Sequence, residues 1–296
     1  MALVLSNVAK SFGNKTAVDD VSFNISKPGV FGLLGTNGAG KTTTIRMILG
    51  ILSKDTGTIE WNGKPINRLT VRFGYLPEER GIYPKAKVME QIIYFATLRG
   101  LSTKEAKKQA KYWFGRLGVE EYAKSTAESL SKGNQQKIQL IAALIHDPEL
   151  VILDEPFSGL DPLNTDLFKD IINDLVKNGK RIVMSSHQMH TVEEYCNEIL
   201  LLSKGKAVLS GNLKDIKRSY GRTNLFIDSE SDLDKLAQEE DIKVVRKTPL
   251  GYEFKIKSDE QAYSILEKMI KSKIRVDRFE IREPSLHEIF VEKVGV

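Results

Sequence analysis

The chain has 296 residues, a formal net charge of +5, and 41% hydrophobic against 28% charged residues, the balance of an ordinary globular protein rather than a collagenous or disordered one. No run approaches the ~18 uninterrupted apolar residues that span a bilayer, the start MALVLSNVAKSFG lacks the zones of a signal peptide, and the single cysteine, Cys196, excludes an internal disulfide framework. Together these indicate a cytosolic chain, long enough to need a small domain beside a large one.

Two β-like runs, LVLSNVAKSF and AVDDVSFNI, open the chain and predict a strand pair on a sheet edge. KPGVFGLLG then gives a turn and a short continuous apolar run, as in a strand buried on both faces. The following GTNGAGKTTTIRMILGIL places Ile45, Ile48, Leu49 and Leu52 at helical spacing. Residues 85–146 read as a helical insert of amphipathic segments, with Ser102 or Thr103 capping the second. Parallel-strand signals return in ELVILDEP and KRIVMSS, so the large unit is an α/β fold about a mostly parallel sheet with an antiparallel β edge. Cys196, in the helical TVEEYCNEIL, reads as a packing residue.

EILLLSKGKAVLSG predicts a hairpin-like pair broken at Lys204-Gly205, and the helix NLKDIKRSY stops at Gly221. The remainder parses as strand NLFID, helix SDLDKLAQ, strand IKVVRK, turn TPLG, strand YEFKIK, helix DEQAYSILEKMIKS, strand IRVDRFEI and helix PSLHEIFVEKV. That βαββαβ order predicts a small α+β ferredoxin-like domain. The expected boundaries are 1–221 and 222–296.

Gly35-Thr36-Asn37-Gly38-Ala39-Gly40-Lys41-Thr42 fits G-x-x-x-x-G-K-[ST] between a buried strand and a helix. Its glycines let backbone N–H groups wrap phosphates at a helix N-terminus. Lys41 is expected to reach the β- and γ-phosphates and Thr42 to ligate Mg²⁺. LVILDEP supplies the complement: Asp154 at the strand end to hold Mg²⁺, and Glu155 to polarise an attacking water.

In this order the motifs resemble those of the ATP-binding subunits of ABC transporters, over roughly residues 3–211. The resemblance implies a P-loop NTPase fold, ATP and Mg²⁺ as ligands, and the following roles. Phe12 in KSFGNKTAV sits where an aromatic stacks on adenine, and Gly35–Thr43 form the P-loop, with Thr36 where proline is usual. Glu78 in GYLPEERGIYP replaces the glutamine that senses γ-phosphate and Mg²⁺. Asp161 in SGLD lies in the loop bridging two sites, and His187 in SSHQM is the switch histidine. Ser131 and Gly133 in LSKGNQQK match the signature that grips the nucleotide of a partner subunit, before a helix starting near Asn134. With DEPFSGLDP and EPSLHEIFVEKVG, these motifs are similar to the exporter ATPases of the sodium-extrusion, NatA-like group.

The resemblance further implies a homo- or heterodimer of ATPase subunits closed around two ATP molecules, driving a separately encoded transmembrane permease from the cytoplasmic face of the membrane. Sodium or a toxic compound is the cargo it suggests, and no nucleic-acid partner is expected. A regulatory, nucleic-acid- or ribosome-associated ABC ATPase not coupled to transport is the alternative. No catalytic constellation is visible after residue 222, where His287 reads as structural.

Overall fold

The computed structural model describes residues 2–67, 71–79, 81–249 and 251–294. Arg80 of GYLPEERGIYP, Leu250 of the predicted TPLG turn and Gly295 of the C-terminal motif lie outside them. Two compact units divide the chain at Ser210/Gly211, not at 221/222. The boundary falls inside the strand Lys206–Asn212, which runs straight into the Asn212-capped helix with no linker composition to mark the change.

In the first unit, β1 (Leu3–Phe12) and β2 (Lys15–Ile25) pair antiparallel. β3 (Gly29–Leu34) leads into α1 (Lys41–Ile48), followed by β4 (Thr56–Trp61), β5 (Lys64–Pro65) and β6 (Phe73–Leu76). The opening pair is not an edge of the main sheet: it belongs to a separate sheet ordered β2-β1-β4-β5. Alternation explains this, because Leu3, Leu5, Val8, Val18 and Val21 bury one face into a cluster shared with Phe31, Leu33, Ile45 and Ile48.

The helical insert holds α2 (Val88–Leu98), α3 (Thr103–Leu117) and α4 (Lys132–Leu144). Ser102 is the cap of α3: its Oγ accepts the Glu105 N–H while Glu105 accepts the Ser102 N–H, a reciprocal capping box. α4 starts at Lys132, two residues before the expected Asn134. Ser131 is its N-cap, with Oγ accepting the Asn134 N–H at 3.3 Å, so the hydroxyl itself sets the helix start.

β7 (Leu150–Asp154), α5 (Pro162–Lys177), β8 (Arg181–Ser186), α6 (Met189–Tyr195), β9 (Glu198–Ser203) and β10 (Lys206–Asn212) complete this unit. The main sheet is ordered β10-β9-β3-β8-β7-β6, with parallel pairing from β9 through to β6. Every residue of β3, β7 and β8 is buried, as a sheet covered on both faces requires. Cys196 is buried, and burial pushes its thiol well above the usual range, so it packs and does not react.

His146 follows α4, almost wholly buried, with Nε2 donating to the Phe73 carbonyl at 2.7 Å. Its Nδ1 is left without a partner. Burial, followed by the charges of Arg99 and Arg72 against the opposing hydrogen bond, lowers its pKa from 6.5 to about 4. The unfolded chain takes up this proton at higher pH than the folded one. The contribution to stability is therefore complete above pH 6.5 and is lost as pH falls through about 4, by up to roughly 3 kcal/mol. Urea unfolding from pH 7 to 4 should show a shallower pH slope for His146→Gln than for the unchanged chain.

The second unit contains α7 (Leu213–Ser219), β11 (Asn224–Asp228), α8 (Asp234–Glu239), β12 (Lys243–Thr248), β13 (Gly251–Lys255), α9 (Asp259–Lys271), β14 (Arg278–Arg282) and α10 (Leu286–Val294). Its antiparallel sheet runs β12-β13-β11-β14, the split arrangement expected of βαββαβ. IRVDRFEI pairs only through its last part, 278–282; Ile274 and Val276 pack on the core outside the strand. Glu288 explains much of the EPSLHEIF motif. It accepts the Ser285 N–H at 2.8 Å at the start of α10, the Asn224 amide of β11 at 2.9 Å and the Lys255 ammonium of β13 at 3.3 Å. His287 points to solvent. Among the described residues no helix is long and apolar enough to cross a membrane.

Candidate nucleotide site

Four neighbouring parallel strands end at one level. Leu34 of β3 lies opposite Ser186 of β8, Asp154 of β7 opposite Ser185, and Leu76 of β6 opposite Leu153. The crevice outside such carboxyl ends is where ligands bind in open α/β sheets. The P-loop leaves β3, His187 leaves β8, Asp154 and Glu155 close β7, and Glu78 follows β6. A cleft of about 420 Å³ is lined by Phe12, Lys15, Ala17, the stretch Thr36–Thr43 (Asn37, Gly38, Ala39, Gly40, Lys41 and Thr42 included), Glu78, Asp154 and Glu155.

Two glycines shape the loop. Gly35 has φ 149°, and a Cβ there would stand 2.4 Å from the Leu202 carbonyl; at Gly40, φ 109°, it would stand 2.6 Å from the Ala17 carbonyl. Only a residue without Cβ fits either place. Thr36 acts through its backbone, its carbonyl accepting the Ala39 N–H at 3.1 Å, so a side chain other than proline is accommodated. Lys41 is buried, its ammonium donating to the Gly35 carbonyl at 2.8 Å and lying 3.7 Å from Glu155 Oε1.

Asp154 is 2% exposed. Its Oδ1 accepts a hydrogen bond from the Ser185 hydroxyl, and its Oδ2 is buried with no partner. Burial holds this carboxyl above its usual range, against the pull of Ser185 and Lys41. Glu155 has φ 50°, a left-handed backbone that is strained for a residue with a Cβ. Its N–H donates to Ser185 Oγ at 3.0 Å, and its Oε1 lies 2.9 Å from His187 Nδ1. His187 therefore meets the carboxylate of Glu155. Ser185 ties both acids to β8, a role the sequence signalled only as a small polar residue ending an apolar strand. Lys15 and Ala17 likewise line the cleft without having been singled out.

Ser131, Gly133 and Asp161 are not part of this cleft. Gly133 and Asp161 meet at Asn164 instead: Asp161 caps α5, its carboxylate accepting the Asn164 N–H at 2.9 Å and side-chain amide at 2.6 Å. A Cβ at Gly133 would stand 3.2 Å from that same Asn164 amide nitrogen. The Asn164 N–H holds the Asp161 carboxyl below its usual range.

The ABC transporter family model matches residues 18–158, and the model for the C-terminal domain of DrrA1-3-like ATP-binding proteins matches residues 211–294. The uncharacterized ABC transporter ATP-binding protein YhaQ of Bacillus subtilis (strain 168) is 48% identical over 294 residues, covering 99% of this chain and 98% of that protein. The ABC transporter ATP-binding protein NatA of the same organism is 34% identical over 229 residues, 73% of this chain and 92% of NatA. A solved ATP binding subunit of an ABC transporter superposes with TM-score 0.69 at 30% identity, covering 81% of this chain and 99% of that one. The chain belongs to the family of ABC transporter ATP-binding subunits and carries a DrrA1-3-like C-terminal domain.

Proposed function

We propose that the chain binds ATP in the cleft at the ends of β3, β8, β7 and β6, hydrolyses it to ADP and phosphate, and thereby drives a membrane permease. The observation that carries this reading is the convergence of Lys41, Asp154, Glu155 and His187, from three strands, around one P-loop. Lys41 leaves the Gly35 carbonyl for the phosphates, backbone N–H groups of residues 36–42 cradle them, and the half-exposed ring of Phe12 stacks on the base. Glu155 accepts the proton of the attacking water, with the His187 ring beside its carboxylate and its backbone held by Ser185.

The cleft also fits Mg²⁺. Asp154 Oδ2 is a buried oxygen without a partner, and Thr42 and Glu78 add oxygens on the same cleft wall. Among the described residues no group of three or more His, Cys, Asp and Glu could hold a metal alone, which suits an ion that shares its ligands with phosphate and water. When bound, Mg²⁺ supplies charge neutralisation at the phosphate oxygens.

No residue of α4 lines the cleft that holds the P-loop of its own chain. Ser131, exposed at the start of α4, is free to reach the nucleotide of a second subunit, with Gly133 following in the same turn and Asp161 joined to Gly133 through Asn164. The dimer, homo- or heteromeric, thus contains two shared sites. The permease is a separate membrane protein, and the chain works on the cytoplasmic face. Export, of sodium or a toxic compound, follows the likeness of the signature and C-terminal motifs to the NatA-like group. A nucleic-acid role gains no support from the mild net charge of +5.

The test is steady-state ATP hydrolysis by the purified chain. Turnover that requires Mg²⁺ and stops with EDTA is expected. Absence of turnover with Mg²⁺, ATP and the permease all present would overturn the enzyme reading.

A further inference from the structure

Two glutamines one helical turn apart on α4 each hold the backbone immediately after a cleft carboxylate. Gln136 Nε2 donates to the Pro156 carbonyl at 2.7 Å, one residue past Glu155. Gln139 Nε2, on a side chain only 6% exposed, donates to the Glu79 carbonyl at 3.1 Å, one residue past Glu78. Neither carbonyl lies in a helix or strand, so these amides fix segments that regular structure does not. Residues three apart share a helix face, and here one face grips both loops. The same helix begins about one turn before Gln136 at its N-cap Ser131, whose hydroxyl is assigned above to the nucleotide of the partner subunit.

We propose that Gln136 and Gln139 are positioning residues that couple the two nucleotide sites of the dimer. α4 is the rigid connector. A phosphate engaged at its Ser131 end shifts the helix, and the two amides carry that shift to the Glu155 and Glu78 loops of the helix's own subunit. Neither glutamine lines the nucleotide cleft, so nucleotide affinity of the isolated chain does not depend on them, whereas the alignment of Glu155 and Glu78 does. Coupling of this kind acts in both directions and appears as cooperativity in ATP concentration. The inference rests on the dimeric ATPase reading and adds its internal linkage.

The experiment compares the unchanged chain with Gln136→Leu, Gln139→Leu and the double variant, using ATP hydrolysis against ATP concentration and equilibrium binding of a fluorescent ATP analogue to the monomer. The double variant is expected to bind the analogue within about twofold of the unchanged chain, to lose about tenfold in kcat, and to drop its Hill coefficient to 1. Gln91→Leu serves as the control for simple destabilisation. Gln91, on α2 and buried like Gln139, donates to the Tyr83 and Ala86 carbonyls, and its loss should leave the Hill coefficient in place. Undiminished cooperativity and kcat in the double variant would overturn the proposal while the ATPase reading stands, as would an equal fall of the Hill coefficient in Gln91→Leu. An unchanged chain without any ATPase activity would instead remove the reading on which the coupling rests.

Discussion

Glu155→Gln is expected to lower ATP turnover by about 10²–10⁴-fold, the usual contribution of a positioned general base. The change keeps the size of the side chain and an oxygen at the position of Glu155 Oε1, 2.9 Å from His187 Nδ1. It removes the negative charge that draws the water's proton. It also removes the charge facing Lys41 at 3.7 Å, so the variant should hold ATP at least as tightly as the unchanged chain. Backbone strain at φ 50° persists, because glutamine adopts the left-handed region no more readily than glutamate. Stopped-flow or steady-state phosphate release gives the turnover, and nucleotide titration the affinity. Loss of both together would point to misfolding of the Asp154-Glu155 turn instead of missing base catalysis.

The second large effect is on binding. Lys41→Ala should weaken ATP by roughly 100-fold, the sum of charge-assisted hydrogen bonds that only the ammonium can make to phosphate. In the structure that ammonium is already held within the loop by the Gly35 and Thr36 carbonyls, at 2.8 and 3.4 Å. It is therefore preorganised beside the phosphate cradle and gives up little conformational freedom on binding. Alanine also leaves the Gly35 carbonyl without this buried donor, so some loss of stability accompanies the loss of affinity. Nucleotide titration by calorimetry separates the two when thermal unfolding is measured without ATP. An affinity within a few-fold of the unchanged chain would remove Lys41 from the site.

Much of the site was legible because its chemistry is local. The P-loop needs closely spaced glycines and a lysine at a helix start, and the acid pair needs an apolar strand directly before it. What the sequence could not show was adjacency between segments far apart in the chain. Nothing in KRIVMSS announces that Ser185 lies opposite Asp154, donates to it and anchors the Glu155 backbone. Such pairing depends on strand order, which is decided by the whole sheet. The same limit hid the separate antiparallel sheet, since β1 pairs with β4 from beyond the P-loop helix.

The signature is a third case. Lys132 and Asn134 depart from its usual pattern, yet Ser131 keeps its cap and α4 begins two residues earlier than the side chains suggested. Lys132 is the first helical residue, where backbone N–H groups are unpaired and an anion is favoured. Its ammonium is exposed there. The C-terminal boundary was misplaced for another reason: Gly221 ends a helix, and a helix stop is not a domain stop.

The central claim is a pair of ATP sites, each shared between two subunits. Light scattering of Glu155→Gln with Mg²⁺ and ATP tests it most directly. The mass is predicted to double from that of the 33.3 kDa chain, to return to it with ADP, and to stay there when Ser131→Arg is added although ATP still binds. A mass that remains at one chain under saturating Mg²⁺ and ATP, or a dimer indifferent to Ser131→Arg, would contradict the account.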